Sequence, residues 1–254
     1  MTSHKILFSN LGYARGLGGG LVEHALHAYR HLYCSPAVQK KSLNQLSQLI
    51  MAESPDLCCF VEIDRGSMGS ARFDQLAHLT TEKYPFGDIE NKYGPTSILR
   101  KLAYTSGKSN AFLARRDYQF EKQYFSCGYK RLIYKISLDN NVRLFFAHFS
   151  LNKSTRAQQL LEARELMERE EGETLLLGDF NILTGLQEMR SFLSDGRFIL
   201  LNDPQIPTFF IHNRKLVLDL CICSKALGAN ASLKIVPQSY SDHAALVLHL
   251  SVQS

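Results

Sequence analysis

No stretch of this chain approaches the roughly 18–20 consecutive apolar residues that a membrane-crossing helix requires, so no transmembrane segment is expected. No long apolar run follows the opening Met-Thr-Ser-His-Lys, and no secretory leader is expected either. The six cysteines, Cys34, Cys58, Cys59, Cys127, Cys221 and Cys223, show neither zinc-ligand spacing nor a disulfide framework. Four of them lie inside apolar runs, where free cysteine behaves as a small hydrophobe. These absences predict a soluble protein of a reducing, cytoplasmic compartment. Tryptophan is missing altogether, and no lipid-binding insertion is recognisable. A dominant charge is lacking as well. The net charge of +5 permits an anionic substrate but falls short of a dedicated nucleic-acid binder. No repeat, low-complexity tract or linker divides the 254 residues, which predicts a single domain spanning 1–254.

What is present is a series of apolar segments, each ending in a polar group. Leu175–Asn181 reads Leu-Leu-Leu-Gly-Asp-Phe-Asn. Its leucine run suits a strand buried on both faces. Residues two apart on an extended chain point the same way, so Asp179 and Asn181 would reach the sheet rim together. Gly-Asp-Phe-Asn could equally be a turn of good turn formers. Lys5–Ser9 is a short buried strand with Asn10 at its end, and Leu57–Val61 is another, followed by Glu62. Leu144–Ala147 runs into His148, and Tyr240-Ser241-Asp242-His243 precedes the last apolar strand, Ala244–Leu250. Leu216–Ile222 carries Asp219 in its middle. A buried carboxylate there requires a hydrogen-bond donor.

Between these segments lie helices. Ala37–Ala52 is amphipathic, with Leu43, Leu46, Leu49 and Ile50 on one face. Ser154 is a candidate N-cap for Thr155–Glu170, on which Arg156 and Gln159 lie one turn apart. A glycine loop, Gly16 to Gly20, follows the first strand, but Leu21 stands where a dinucleotide fingerprint needs glycine or alanine, and no Gly-Lys-Ser/Thr follows. His24, His27 and His31 repeat at helical spacing on Leu21–Tyr33. A solvated face accounts for them better than a metal stripe, with Ala25, Leu26 and Leu32 expected to turn inward. Between Lys92 and Lys135 cations dominate, which suits either solvated strand edges or a surface that meets a phosphate-bearing polymer or an anionic membrane. The loops carry no interpretable motif, although Tyr13, Arg15, Arg65 and Phe209 are candidates for substrate contact.

The collected polar groups are Asn10, Glu62, His148, Asp179, Asn181, Asp219, Asp242 and His243. Hard oxygen ligands of this kind suit Mg²⁺ or Mn²⁺ better than zinc. Two histidines beside carboxylates fit phosphoester hydrolysis.

In these residues the chain resembles the endonuclease/exonuclease/phosphatase superfamily, the DNase I-like metal-dependent phosphoesterases. The motifs occur in the family's order over nearly the whole chain: Asn10, Glu62, Ser109-Asn110-Ala111, His148 with Arg156 and Gln159, Gly-Asp-Phe-Asn at 178–181, Asp219, and Ser241-Asp242-His243. The resemblance implies a four-layered α/β sandwich, two packed mixed sheets flanked by helices, with the site at one edge. It implies Glu62 as principal metal ligand, supported by Asp242 and Asn10. His243, held by Asp219, would act on the scissile phosphate. Asp179 and Asn181 would position and activate water, and His148 would stabilise the transition state. The chain departs from the family at Val61, where glutamine is common, and at Ala147-His148-Phe149, where Thr-His-Leu is common. His148 argues against the abasic-site branch, which has tyrosine there, and fits the two-histidine branches: DNase I-like nucleases, sphingomyelinase-like enzymes and phosphoinositide phosphatases. The expectation is a monomeric, Mg²⁺- or Mn²⁺-dependent phosphodiesterase acting on nucleic acid or on a phospholipid head group. The cross-class rival is a binding module on the same fold that has lost catalysis. Its mark would be a missing ligand or histidine, and none is missing.

Overall fold

The computed structural model of the protein describes residues 2–139 and 141–252; Asn140, in the turn expected at 139–140, lies outside the described residues. One six-stranded sheet contains β1 (Thr2–Asn10), β2 (Leu57–Asp64), β3 (Phe86–Asn91), β4 (Lys108–Ala114), β13 (Ala231–Val236) and β14 (Ala245–Val252), in the order β13-β14-β1-β2-β4-β3. The other contains β5 (Phe120–Tyr124), β6 (Leu132–Ser137), β7 (Val142–His148), β8 (Glu173–Asp179), β9 (Phe198–Leu200) and β12 (Asp219–Ser224), in the order β5-β6-β7-β8-β12-β9. A small hairpin, β10 (Phe209–Ile211) and β11 (Arg214–Leu216), stands apart.

Alternation along the strands builds the layers. Ile6, Phe8, Cys59 and Val61 of the first sheet meet Tyr134, Phe146, Leu175 and Leu177 of the second in a shared core. The opposite face of the first sheet, with Leu7, Cys58 and Phe60, is covered by Leu43, Leu46 and Ile50 of helix α2 (Pro36–Glu53). Each such leucine or isoleucine contributes about 1.5–3 kcal/mol on burial. On the far side of the second sheet, Phe145 and Leu176 pack under Leu160, Ala163 and Met167 of helix α4 (Lys153–Glu168). The result is the α/β sandwich of two mixed sheets flanked by helices that the motifs implied.

Each sheet contains one parallel pair joined by a helical crossover, β1 with β2 and β7 with β8. A parallel pair needs such a crossover, and its strands end on the same edge. Hence Asn10, at the end of β1, and His148 and Asp179, at the ends of β7 and β8, are all delivered to strand termini.

Local details differ from the sequence reading. Helix α4 is capped by Asn152, whose Oδ1 accepts from Thr155 N at 3.1 Å, so Ser154 lies inside the helix. The run Leu216–Ile222 is not one strand. It breaks at Val217–Leu218, and Thr208 Oγ1 accepts from both Leu218 N and Asp219 N across the break, leaving Asp219 at the start of β12. The larger correction concerns the histidine helix, α1 (Leu21–His27), and the 3-10 turn Ala28–His31 after it. Leu26 and Leu32, expected inside, are 67% and 73% exposed. The polar face turns inward instead: Gly18 N donates to Glu23 at 2.8 Å, and the His24 ring packs on His212 at 5.6 Å. Among the described residues no helix is long and apolar enough to cross a membrane.

Candidate active site

The site is a row across the second sheet. Register sets His148 beside Asp179 on the parallel side and Asp179 beside Asp219 on the antiparallel side. Residues sharing a row and a face have neighbouring side chains, so three polar groups far apart in sequence become one cluster. Gly178, one residue earlier, makes the close approach possible: a side chain there would meet the Ala147 carbonyl at 2.6 Å.

Asp179 Oδ2 is the meeting point. Asn10 Nδ2 donates to it at 3.0 Å, His148 Nε2 lies 3.1 Å away and His243 Nε2 lies 4.0 Å away. Its other oxygen accepts from Asn181 N at 3.0 Å, while Asn181 Nδ2 donates to the Phe149 carbonyl at 2.9 Å. Gly178 and Asp179 thus close β8, and the chain leaves the strand only after them, with Asn181 in the left-handed region that asparagine tolerates (φ 50°). Burial opposes ionisation of Asp179, but His148 and His243 outweigh it and hold the carboxyl well below its usual range.

Asp219 is fully buried and finds its donor in His243, whose Nδ1 lies 2.7 Å from Oδ2. Burial alone would favour neutral His243. The Asp219 and Asp179 charges reverse this and raise its pKa, so the ring is an imidazolium at neutral pH. Phe209 packs on that ring at 4.7 Å, and Ser241 ties the motif to the first sheet by donating to the Asn10 carbonyl at 2.8 Å. His148 behaves oppositely. Burial, aided by Lys130 in contact with its Nε2, lowers it to about 4, so this ring is neutral.

Glu62 arrives from a β-bulge. Pairing of β2 with β4 slips between Phe60 and Ile63, and Glu62 takes φ 53°. Bulges re-aim side chains in this way, and a non-glycine residue there stores about 1–3 kcal/mol of strain. Burial opposes its charge, but Lys92, 3.8 Å away, together with His148 and Lys130 brings the carboxyl to about 2. Asp242 is half-buried; burial and the Glu62 charge push its carboxyl up against the opposing pull of His243. Two carboxylates with this mutual repulsion, one firmly ionised, fit a hard divalent cation. Asn110, across β4 from the bulge, is buried with its Oδ1 unpartnered. Asn10 is less free to serve as a ligand, because its Oδ1 already accepts from Gly12 N at 3.0 Å. Among the described residues, the group with three potential ligand atoms within 4.8 Å of one another is Asp179, Asp219 and His243. There, however, His243 is held protonated by Asp219 and Asp179, and an imidazolium has no lone pair to offer a cation.

The polar residues picked out of the sequence thus fall into one cluster around Asp179, with Glu62 and Asp242 beside it. Arg156 and Gln159 stand behind it: Gln159 accepts from Ser150 N at 2.9 Å and donates to the Lys130 carbonyl at 2.7 Å, holding the loops on both sides of His148. Sequence reasoning named Tyr13 only as a candidate substrate contact and did not single out Lys92 and Lys130. Lys92 is buried, donates to the Tyr13 hydroxyl and reaches Glu62, with its own pKa lowered to about 7 by burial and by neighbouring cations. Nothing local distinguishes it from the other cations between residues 92 and 135.

Comparison with known proteins agrees with this architecture. The chain aligns over its full length with 72% of an endonuclease/exonuclease/phosphatase from Beutenbergia cavernae, with TM-score 0.68 and 15% identity. It superposes on humanized D. rerio TDP2 with TM-score 0.65 and 11% identity, over 98% of this chain and 99% of that one. The endonuclease domain of TRAS1, a telomere-specific non-LTR retrotransposon, gives TM-score 0.59 and 13% identity over 99% of this chain and 100% of that one. At these identities the likeness speaks for the fold alone. No curated protein matches in sequence. The sequence profile of the Endonuclease/Exonuclease/phosphatase family matches residues 33–243, and the chain belongs to that family.

Proposed function

We propose that the protein is a divalent-metal-assisted phosphodiesterase that directs water onto phosphorus. The observation that carries this reading is the convergence of Asn10, His148 and His243 on one oxygen of an ionised Asp179, beside a second ionised carboxylate at Glu62. Hydrolysis joins a water oxygen to phosphorus and breaks one ester bond, the leaving oxygen taking up a proton. In this reading Glu62 and Asp242 hold the cation, with Mg²⁺ or Mn²⁺ suited to their oxygen donors. When bound it supplies Lewis-acid polarisation of a phosphoryl oxygen. Asp179, with its depressed pKa, orients the attacking water more than it serves as a strong base, and Asn181 fixes the turn that carries it. The charged His243, kept in orientation by Asp219, neutralises developing charge on the phosphate oxygens, and neutral His148 donates a hydrogen bond to them. Lys108 and Arg15, half-buried over the Tyr13 ring, supply positive charge at the entrance. That charge suits either diester class expected from the sequence, a nucleic acid or a phospholipid head group.

The test is hydrolysis of bis-p-nitrophenyl phosphate and p-nitrophenyl phosphate with Mg²⁺, Mn²⁺ or EDTA, followed by DNA, RNA and phospholipids. Metal-dependent diester cleavage that His243→Ala lowers by about 10²–10⁴-fold is expected. Preference for the monoester would make the enzyme a phosphatase. Absence of turnover on every substrate, together with no Mg²⁺ binding, would leave a binding module on this fold.

A further inference from the structure

Helix α1 and the turn after it are built inside out. Leu21, Val22, Ala25, Leu26, Tyr29 and Leu32 share one side at helical spacing, and that side faces solvent; α1 has no buried residue. A solvated helix directs its apolar stripe to the core, so this one is oriented for a surface that is not part of the chain. The stripe continues across a gap in sequence. Leu32 and Tyr104 line one cleft with Gly69, where an added side chain would lie 3.1 Å from the Leu32 carbonyl and 3.7 Å from the Tyr104 ring. Exposed Met68 and Leu102 lie beside Tyr104, since Met68 N donates to the Ala103 carbonyl at 2.8 Å. Exposed apolar surface this continuous marks a partner or a membrane.

The charge around the stripe selects between these. Arg15, Arg30 and Lys108 line the cleft next to Leu32 and Tyr104, and Lys41 lines the groove below α1 with Arg30. The acids nearby are already engaged. Glu23 accepts from Gly18 N, and Asp64 accepts from Gly66 N, Ser67 N and the Ser67 and Ser70 hydroxyls. An apolar face with a basic border is the pattern of an interfacial helix on an anionic bilayer. The segment also abuts the catalytic rim, since the Gly19 carbonyl accepts from His212 N, and a side chain on Gly19 would lie 3.5 Å from Asp242 Cβ.

We infer that the outward face of residues 21–33, with Met68, Leu102 and Tyr104, docks the protein on an anionic phospholipid surface and presents the catalytic rim to it. The test is co-sedimentation of the full chain with phosphatidylcholine vesicles, with and without about a third phosphatidylserine, in EDTA, so that binding is read without turnover. Failure of docking is thereby separated from failure of the diesterase reading. Binding to the anionic vesicles that weakens with salt is expected. Val22→Glu/Leu26→Glu, at two exposed positions, should lower the partition coefficient by at least about 100-fold, with unchanged circular dichroism and melting temperature. Equal binding to neutral vesicles, binding that survives the double substitution, or no vesicle binding would each overturn the inference. So would self-association that the substitutions abolish, which would name a second copy as the occupant.

Discussion

Asp219 is a carboxylate with no exposure at all, tolerable only because a histidine from 24 residues further on meets it at 2.7 Å. The sequence already showed that this acid needed a donor, and the family resemblance implied His243 as that donor. Asp219→Asn keeps the shape and removes the charge that holds His243 protonated. The expected outcome is a loss of about 10²–10⁴ in diester hydrolysis, with the melting curve close to wild type. A melting temperature that collapses along with activity would show the pair to be structural. The case of Glu62 is different. Its place after an apolar strand was legible, but its positive φ was not, because the bulge arises from how β2 pairs with β4.

At the scale of elements, the contact between β7 and β8 depends on Gly178. Alanine is ordinarily the better strand residue by about 0.5–1 kcal/mol, yet here its side chain would press on the Ala147 carbonyl. Sterics should win, and Gly178→Ala is expected to cost about 1–3 kcal/mol in urea unfolding while separating His148 from Asp179. Helix α4 offers a second test. Arg156 is buried, donates to the Ser150 and Leu151 carbonyls, and pairs with Glu188 at 2.6 Å. Removing the carboxylate with Glu188→Gln leaves a buried charge, at a cost of about 3–5 kcal/mol. Burial would raise the Glu188 pKa, but hydrogen bonds from Thr184 and Arg156 lower it in the folded state. Its contribution is therefore complete above the unfolded value of about 4.3 and is lost as pH falls through the lower folded value. The wild type should lose this increment in acid unfolding and Glu188→Gln should not; identical acid sensitivity would contradict the pairing.

For the whole molecule, a cation held by Glu62 and Asp242 would bind the folded state and not the unfolded chain. At about 100 times its Kd it adds about 2.7 kcal/mol. For a chain of this size that is a rise of roughly 5–10 °C in Tm over EDTA. Glu62→Gln should abolish the rise, measured against that variant's own Tm in EDTA, as differential scanning calorimetry would show. A rise that persists in Glu62→Gln but vanishes in Asp219→Asn would move the ion to the Asp179, Asp219 and His243 group.

Most of the polar cluster was legible in sequence because each member ends an apolar run or sits inside one, and polarity against a buried strand is a local signal. The same locality explains what sequence left open. Helical spacing grouped Ala25, Leu26 and Leu32 and pointed them inward, whereas in the fold that side faces out. The charge run from Lys92 to Lys135 did not single out Lys92 and Lys130, which acquire their neighbours from β2 and β7. Nor could it show that His148, Asp179 and Asp219 stand in one row. Sequence by itself determined which residues are buried with polar ends, and in what order. Tertiary structure decided which ends meet and which way α1 turns, because register and facing come from the packing of strands and helices distant along the chain.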